Sequence, residues 1–158
     1  MARLLIVDDE KSICQMLQIA FRKEDHTVET ATSGAVAKKK LESQAYDLII
    51  SDIIMPDLSG IDLLEYAGFT RNPGRFILIT ALPTMDTAIR ALNLGAYRYV
   101  IKTDKLVDEI KLVVKQALED LALREENLRL RRELLRVFAQ NNIIGQSRKI
   151  LSILEMVR

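Results

Sequence analysis

Five residues scattered along this sequence could do chemistry together. Asp52 stands in DLIISDIIMPDLSG, residues 47–60, where an apolar run ends and a turn begins. Asp8 and Asp9, followed by Glu10, close a second apolar run, RLLIV at 3–7, and Thr80 and Lys102 close two more. Adjacent carboxylates repel unless a cation offsets them, and hard oxygen ligands in a turn suit Mg²⁺. A hydroxyl and a fixed lysine can then stabilise the equatorial oxygens of a phosphoryl group as it passes to a carboxylate. In that scheme Asp52 is the nucleophile and forms an acyl phosphate. Asp8 and Asp9 hold Mg²⁺ together with Asp52 and the backbone carbonyl of Ile54. Each group alone has a plainer reading: Asp52 as a turn or cap residue, and the acidic triplet as the solvated start of a helix. Nothing here has the form of a Gly-rich phosphate loop, so a nucleotide is not the indicated donor.

Combining these groups requires elements that carry them to one place. Leu48, Ile49 and Ile50 form a run too short for a helix and bounded by polar residues, which reads as a strand buried on both faces. RLLIV at 3–7, Thr27–Ala31, Phe76–Ile79 and YRYVI at 97–101 read as four further strands. Between them lie helical patterns. Residues 11–24 place Ile13, Leu17, Ala20 and Phe21 on one face, and Gly34–Ser43 places Ala37 and Leu41 inward. A third helix runs from Ile61 to near Asn72, and a fourth opens at Pro83 and Thr84, carries Ala88, Ala91 and Leu92 inward, and ends at Gly95 as a left-handed cap. A fifth starts near Asp104 with Leu106, Ile110, Val113 and Ala117 on one face. Strands alternating with helices five times predict right-handed crossovers and a parallel sheet covered on both sides. Ligands of such sheets bind at the carboxyl ends of the strands, so one edge collects Asp8, Asp9, Asp52, Thr80 and Lys102. Turn-capping alone does not predict four of five strands ending in residues suited to one reaction.

Composition narrows the classes. The 158 residues allow one domain with a real core plus a remainder. Lys and Arg total 23 against 22 Asp and Glu, which removes any global bias toward nucleic acid or acidic membranes. Cys14 is the one cysteine, falls in a helical pattern and reads as a small core residue, and its being alone excludes an internal disulfide. His26 has no second His or nearby Cys with which to form a metal site. Lys38, Lys39 and Lys40 read as a solvated helix face. No signal peptide opens the chain and no apolar run spans a bilayer, so a soluble, cytoplasmic protein is expected.

LLIVDDE at 4–10, DLIISDIIMPDLSG at 47–60, ILITA at 77–81 and GAYRYVIK at 95–102 together resemble the receiver domain of two-component response regulators, over residues 3 to about 118. The resemblance implies a flavodoxin-like α/β fold with strand order 2-1-3-4-5 and phosphorylation of Asp52 by a partner histidine kinase. It also implies that Thr80 and Tyr99 act as a coupled switch, the hydroxyl moving toward the phosphate as the aromatic ring turns inward. Thr103 departs from the family pattern, in which proline follows the lysine and is often preceded by a cis peptide. Without proline a cis bond costs ~3 kcal/mol, so a trans peptide is the expectation here.

The helical pattern continues beyond Glu119, with no Gly or Pro before Gly145. The fifth helix is therefore predicted to run to near Phe138. Leu123, Asn127, Leu130, Leu134 and Val137 recur with the alternating spacing of a coiled-coil seam, Asn127 being a register-setting polar position, while Leu121, Leu128 and Leu135 widen the stripe. Two readings stand: a homodimer through this helix, or a helix folded back on its own domain. Asn141, Asn142 and Gly145 then break the pattern, and Ser147 caps another helix carrying Ile150, Ile153, Leu154 and Val157. NNIIGQSRKILSILEMVR resembles the opening of the AAA+ ATPase domain of NtrC-type activators of sigma-54 RNA polymerase, and ENLRLRREL at 126–134 is similar to their linker. The expected organisation is a receiver over 1–118, a dimerising linker over 119–140 and the start of an AAA+ domain over 141–158. No GxxxxGKS or GxxxxGKT loop and no helix-turn-helix appear, so ATP hydrolysis and contacts with DNA or RNA polymerase are expected only through domains absent from this chain.

The expected function is a phospho-accepting receiver that controls an ATPase through a linker dimer present before phosphorylation. Two other classes remain: a Mg²⁺-dependent phosphatase working through an aspartyl phosphate, and a dimerisation module with an inactive acidic pocket. The phosphatase would want an aspartate two residues after its nucleophile, where Ile54 stands.

Overall fold

Short apolar runs that end in carboxylates or hydroxyls become the strands of a parallel sheet, and the amphipathic stretches between them become its covering helices. The computed structural model describes residues 1–70, 74–140 and 156. In chain order the elements are β1 (Arg3–Val7), α1 (Lys11–Arg22), β2 (Thr27–Ala31), α2 (Gly34–Ser43), β3 (Leu48–Asp52), α3 (Gly60–Ala67), β4 (Arg75–Thr80), α4 (Met85–Asn93), β5 (Arg98–Ile101) and α5 (Leu106–Gln140). The strands pair in parallel in the order β2-β1-β3-β4-β5, the flavodoxin-like arrangement. All five residues of β3 are buried, as its uninterrupted apolar run demands for a central strand.

Local chemistry sets the helix ends. Ser33, Ser59 and Thr84 each accept a backbone N–H from the residue three further on, capping α2, α3 and α4. Gly95, with φ of +89°, ends α4 in the left-handed region that a side chain would strain. The Cys14 thiol is buried among α1 core residues. His26 Nδ1 accepts the Ala2 N–H at 3.2 Å, a structural use of the ring. Of the lysine run, Lys40 pairs with Glu29 at 3.0 Å and Lys38 lies over the Tyr66 ring, so both ammonium groups are engaged within the domain.

The structure corrects three details of the sequence reading. Helix α3 stops at Ala67, with Gly68 as its cap, rather than continuing to near Asn72. On α4 only Ala91 is buried, and Leu92, expected inward, is 61% exposed. On α5 the residue that completes the buried face is Val114 rather than Val113, following Leu106 and Ile110 and preceding Ala117. The steps of four, four and three residues keep all four side chains on one face of the helix.

The chain divides into two compact units, Met1–Ala117 and Leu118–Arg158, and α5 contributes residues to both. In the second unit Leu123, Leu130, Leu134 and Val137 are all exposed, as is Asn127. The expected helix capped by Ser147 lies outside the described residues. Among the described residues no helix is long and apolar enough to cross a membrane.

Candidate functional site

Asp52 is the last residue of the central strand, and the chain folds back on it immediately. The Gly60 N–H donates to the Ile53 carbonyl at 3.0 Å, and a Cβ at position 60 would lie 2.2 Å from the Asp52 carbonyl oxygen. Only glycine permits that approach. The turn 53–59 thus departs from Asp52 and returns to it. Asp52 is 4% exposed; its Oδ1 accepts the Ile54 N–H at 3.3 Å and its Oδ2 accepts from Lys102 Nζ at 3.1 Å.

Asp8 follows the end of β1 and is fully buried. Its Oδ1 accepts the Glu10 N–H at 2.9 Å. Lys102 Nζ makes an ion pair with Asp8 Oδ2 at 2.8 Å, and among the described residues this buried oxygen has no other partner. Asp9 is exposed, and one carboxylate oxygen from each of Asp8, Asp9 and Asp52 falls within a cluster where all lie within 4.8 Å of one another. A buried oxygen with an unused lone pair, beside two more carboxylates, is the donor set a hard divalent cation takes.

Lys102 comes from the loop after β5, held by its own N–H donating to the Thr80 carbonyl at 2.8 Å. Its side chain is 11% exposed and reaches Asp8, Asp52 and, at 3.9 Å, Glu10. Thr80, at the end of β4, is buried, and its Oγ1 accepts the Leu82 N–H at 3.1 Å. The strand ends therefore bring Asp8, Asp9, Asp52, Thr80 and Lys102 to one edge of the sheet, with Ile54 in the turn beside Asp52. Tyr99 sits on β5, half-buried against the core, with its hydroxyl 2.8 Å from that of Thr87. Leu123, Asn127, Leu130, Leu134 and Val137 lie on α5 in the second unit, away in sequence from this cluster.

Burial dominates the electrostatics of the two carboxylates. Desolvation pushes the Asp52 carboxyl above the usual carboxylate range, Asp9 adding to the effect while Lys102 and the Ile54 amide oppose it. Asp8 is raised for the same first reason, with Asp52 adding to it and Lys102 and the Glu10 amide opposing. Burial works against the Lys102 ammonium, but the two carboxylates outweigh it and lift its pKa above that of a free lysine. A pocket of this kind can hold a cation, and it presents one carboxylate beside a fixed ammonium, the arrangement needed to bring a phosphoryl group to a carboxylate oxygen.

Sequence reasoning missed two residues. Asp57, read only as loop chemistry, accepts the Gly34 N–H at 3.1 Å and the Ala35 N–H at 2.8 Å. Thr87, on a polar face of α4, meets Tyr99. No local sequence signal marks either contact, since each joins segments far apart in the chain.

Comparison with known proteins agrees with this geometry. Residues 4–114 match the family described as response regulator receiver domain. The chain is 34% identical over 153 residues to the regulatory protein AtoC of Escherichia coli, covering 96% of this chain and 32% of that protein; it thus spans about a third of that relative's length. Among solved structures, the response regulator protein TrrA of Thermotoga maritima, in complex with Mg²⁺ and BeF, superposes with a TM-score of 0.66 and 34% identity, covering 74% of this chain and 99% of that one. The beryllofluoride-activated NtrC4 receiver domain dimer gives 0.70 and 32%, covering 76% and 98%.

Proposed function

This chain belongs to the response regulator receiver domain family, and on that basis we propose that Asp52 accepts a phosphoryl group from a histidine kinase and that the acidic pocket binds Mg²⁺. The observation that carries the reading is the cluster of one carboxylate oxygen from each of Asp8, Asp9 and Asp52, all within 4.8 Å of one another, beside the Lys102 ammonium. Asp8, Asp9, Asp52 and the Ile54 carbonyl would hold the ion, which supplies positive charge opposite the oxygens of the transferring group. An ionised Asp52 oxygen attacks phosphorus as the P–N bond to the donor imidazole breaks. The imidazole leaves neutral, its other ring nitrogen keeping the proton. Lys102 favours the ionised form of Asp52 and then neutralises a phosphoryl oxygen, while the Thr80 hydroxyl, which accepts the Leu82 N–H before the reaction, turns to bond another. Tyr99 follows Thr80 and reports the change to α4 and β5.

Incubation with Mg²⁺ and a small phosphodonor tests this. The intact mass is expected to rise by one phosphoryl group, to stay unchanged without divalent ions, and to stay unchanged in Asp52→Asn. A phosphate-free Asp52 under these conditions would sink the reading.

The receiver is assigned to residues 1–118, a dimerising linker to 119–140 and the start of an AAA+ domain to 141–158, in a cytoplasmic regulator of the NtrC type. Four apolar side chains at seam spacing, all open to solvent in one copy, support a linker that pairs with a second copy. Phosphorylation rearranges that dimer rather than creating it. In the longer protein the dimer would govern ATP hydrolysis and sigma-54-dependent transcription. Sedimentation of a monomer before phosphorylation and a dimer after it would overturn this order of events.

A further inference from the structure

The turn that carries Ile54 is fastened to an element with no part in the pocket. Both carboxylate oxygens of Asp57 accept backbone amides at the start of α2, Oδ1 from Gly34 at 3.1 Å and Oδ2 from Ala35 at 2.8 Å. These are amides that a helix leaves without partners at its first turn, and an anion there also meets the positive end of the helix dipole. The two bonds hold the Asp57 carboxyl below the usual carboxylate range. The fit beside them is close, because a Cβ at Gly34 would lie 2.5 Å from the Leu58 Cβ. Helix α2 already has a cap of its own, the Ser33 hydroxyl on the Val36 N–H. The Asp57 bonds therefore do more for the turn than for the helix.

That turn needs fixing. Ile53 and Met55 are buried and anchor it to the core, but between them Ile54 is 50% exposed, so its own side chain does little to hold its peptide plane. The same residue donates its N–H to Asp52 Oδ1 and, on the reading above, offers the carbonyl of its next peptide to the metal. Ligands in mobile turns bind weakly, and partners that orient a ligand from behind contribute substantially to affinity.

We propose that Asp57 is a positioning residue for the cation pocket: its clasp on the first two amides of α2 keeps the 53–59 turn in the form that presents Ile54 and Asp52 together. This rests on the reading of Asp8, Asp9 and Asp52 as a Mg²⁺ site.

The test is a calorimetric Mg²⁺ titration of the whole chain in four forms, wild type, Asp57→Ala, Asp57→Asn and Ser33→Ala, with thermal unfolding measured alongside. Asp57→Ala is expected to weaken Mg²⁺ binding roughly tenfold or more. Asp57→Asn, which keeps one acceptor oxygen, is expected to lose a few-fold. Ser33→Ala removes a bond from the same helix end without touching the turn, so it is expected to lower the melting temperature and leave Mg²⁺ affinity unchanged. Amide NMR is expected to move the Ile54 resonance in Asp57→Ala and not in Ser33→Ala. Wild-type affinity in Asp57→Ala, or an equal loss in Ser33→Ala, overturns the positioning role while leaving the pocket intact. A wild-type protein that binds no Mg²⁺ overturns both. Should Asp57→Ala fail to fold, Asp57→Asn against Ser33→Ala decides the matter alone.

Discussion

The Tyr99 hydroxyl lies 2.8 Å from the Thr87 hydroxyl, joining β5 to the first turn of α4. Thr87 Oγ1 is also 2.8 Å from the hydroxyl of Thr84, the residue that caps this helix, and 3.1 Å from its carbonyl oxygen. Thr84 is in turn four residues beyond Thr80. Any displacement of Thr80 would thus have a short covalent and hydrogen-bonded route to the aromatic ring.

Thr87→Val keeps the shape of that side chain and removes its hydroxyl. Losing one half-buried hydrogen bond is expected to cost ~1 kcal/mol in urea unfolding. The ring of Tyr99 should also gain freedom, seen as a second or broadened ¹⁹F resonance in protein carrying fluorotyrosine. Combined with Tyr99→Phe, the second substitution should add little, because both remove the same bond. Fully additive losses would mean that the two hydroxyls are not coupled.

Asp8 and Asp52 are both raised above the ordinary carboxylate range by burial, with their mutual charge adding to it at Asp8. The folded protein therefore holds these protons more tightly than the unfolded chain does. The associated stability is fully present below the unfolded values and is lost as pH rises through the raised folded values. Asp8→Asn removes one of the two charges. Without divalent ions it is expected to be more stable than wild type at neutral pH, by on the order of 1 kcal/mol, with the advantage shrinking in acid. Added Mg²⁺ should stabilise wild type and leave Asp8→Asn unmoved. Urea midpoints across this range, with and without Mg²⁺, measure both effects; an advantage for Asp8→Asn that is constant with pH would contradict them.

Burial pushes the Cys14 thiol up to about 11, and its Sγ–H donates to the Asp8 carbonyl at 3.3 Å. The thiolate is the reactive form, so the native thiol is expected to resist an aromatic disulfide reagent at mildly alkaline pH and to react at once in denaturant. Rapid modification of folded protein would contradict the burial. Cys14→Ala is expected to cost about 1 kcal/mol by leaving a small void, measured by the same urea titration.

Leu130 is 51% exposed on the stretch of α5 assigned to the linker. Leu130→Lys places a charge in the seam and is expected to convert a dimer to a monomer in sedimentation, with the receiver fold unchanged by circular dichroism. Asp52→Asn should stay dimeric. An unchanged dimer in Leu130→Lys would remove this helix from the interface.

The fold was legible because its two periods differ so plainly. Apolar runs such as LIISD and RFILIT admit no helix, and the stretches between them repeat at helical spacing. The cluster was legible for a related reason: in a parallel sheet, residues that end strands share an edge wherever they stand in the sequence. Inward faces were harder to read. Leu82, Met85, Ile89, Leu92 and Leu94 are all exposed on and around α4, so the apolar character of that helix does not mark the face that meets the sheet. Asp57 and Thr87 were invisible because their partners belong to other elements. An aspartate after proline is ordinary turn chemistry until the start of α2 is found beside it.

At position 60 the backbone passes so near the main chain of Asp52 that a hydrogen atom is all the space admits. The turn after Asp52 relies on a missing methyl as much as on any group present. A screen for signal-deaf mutants should recover codon 60 alongside codon 52, from cells that still accumulate the protein.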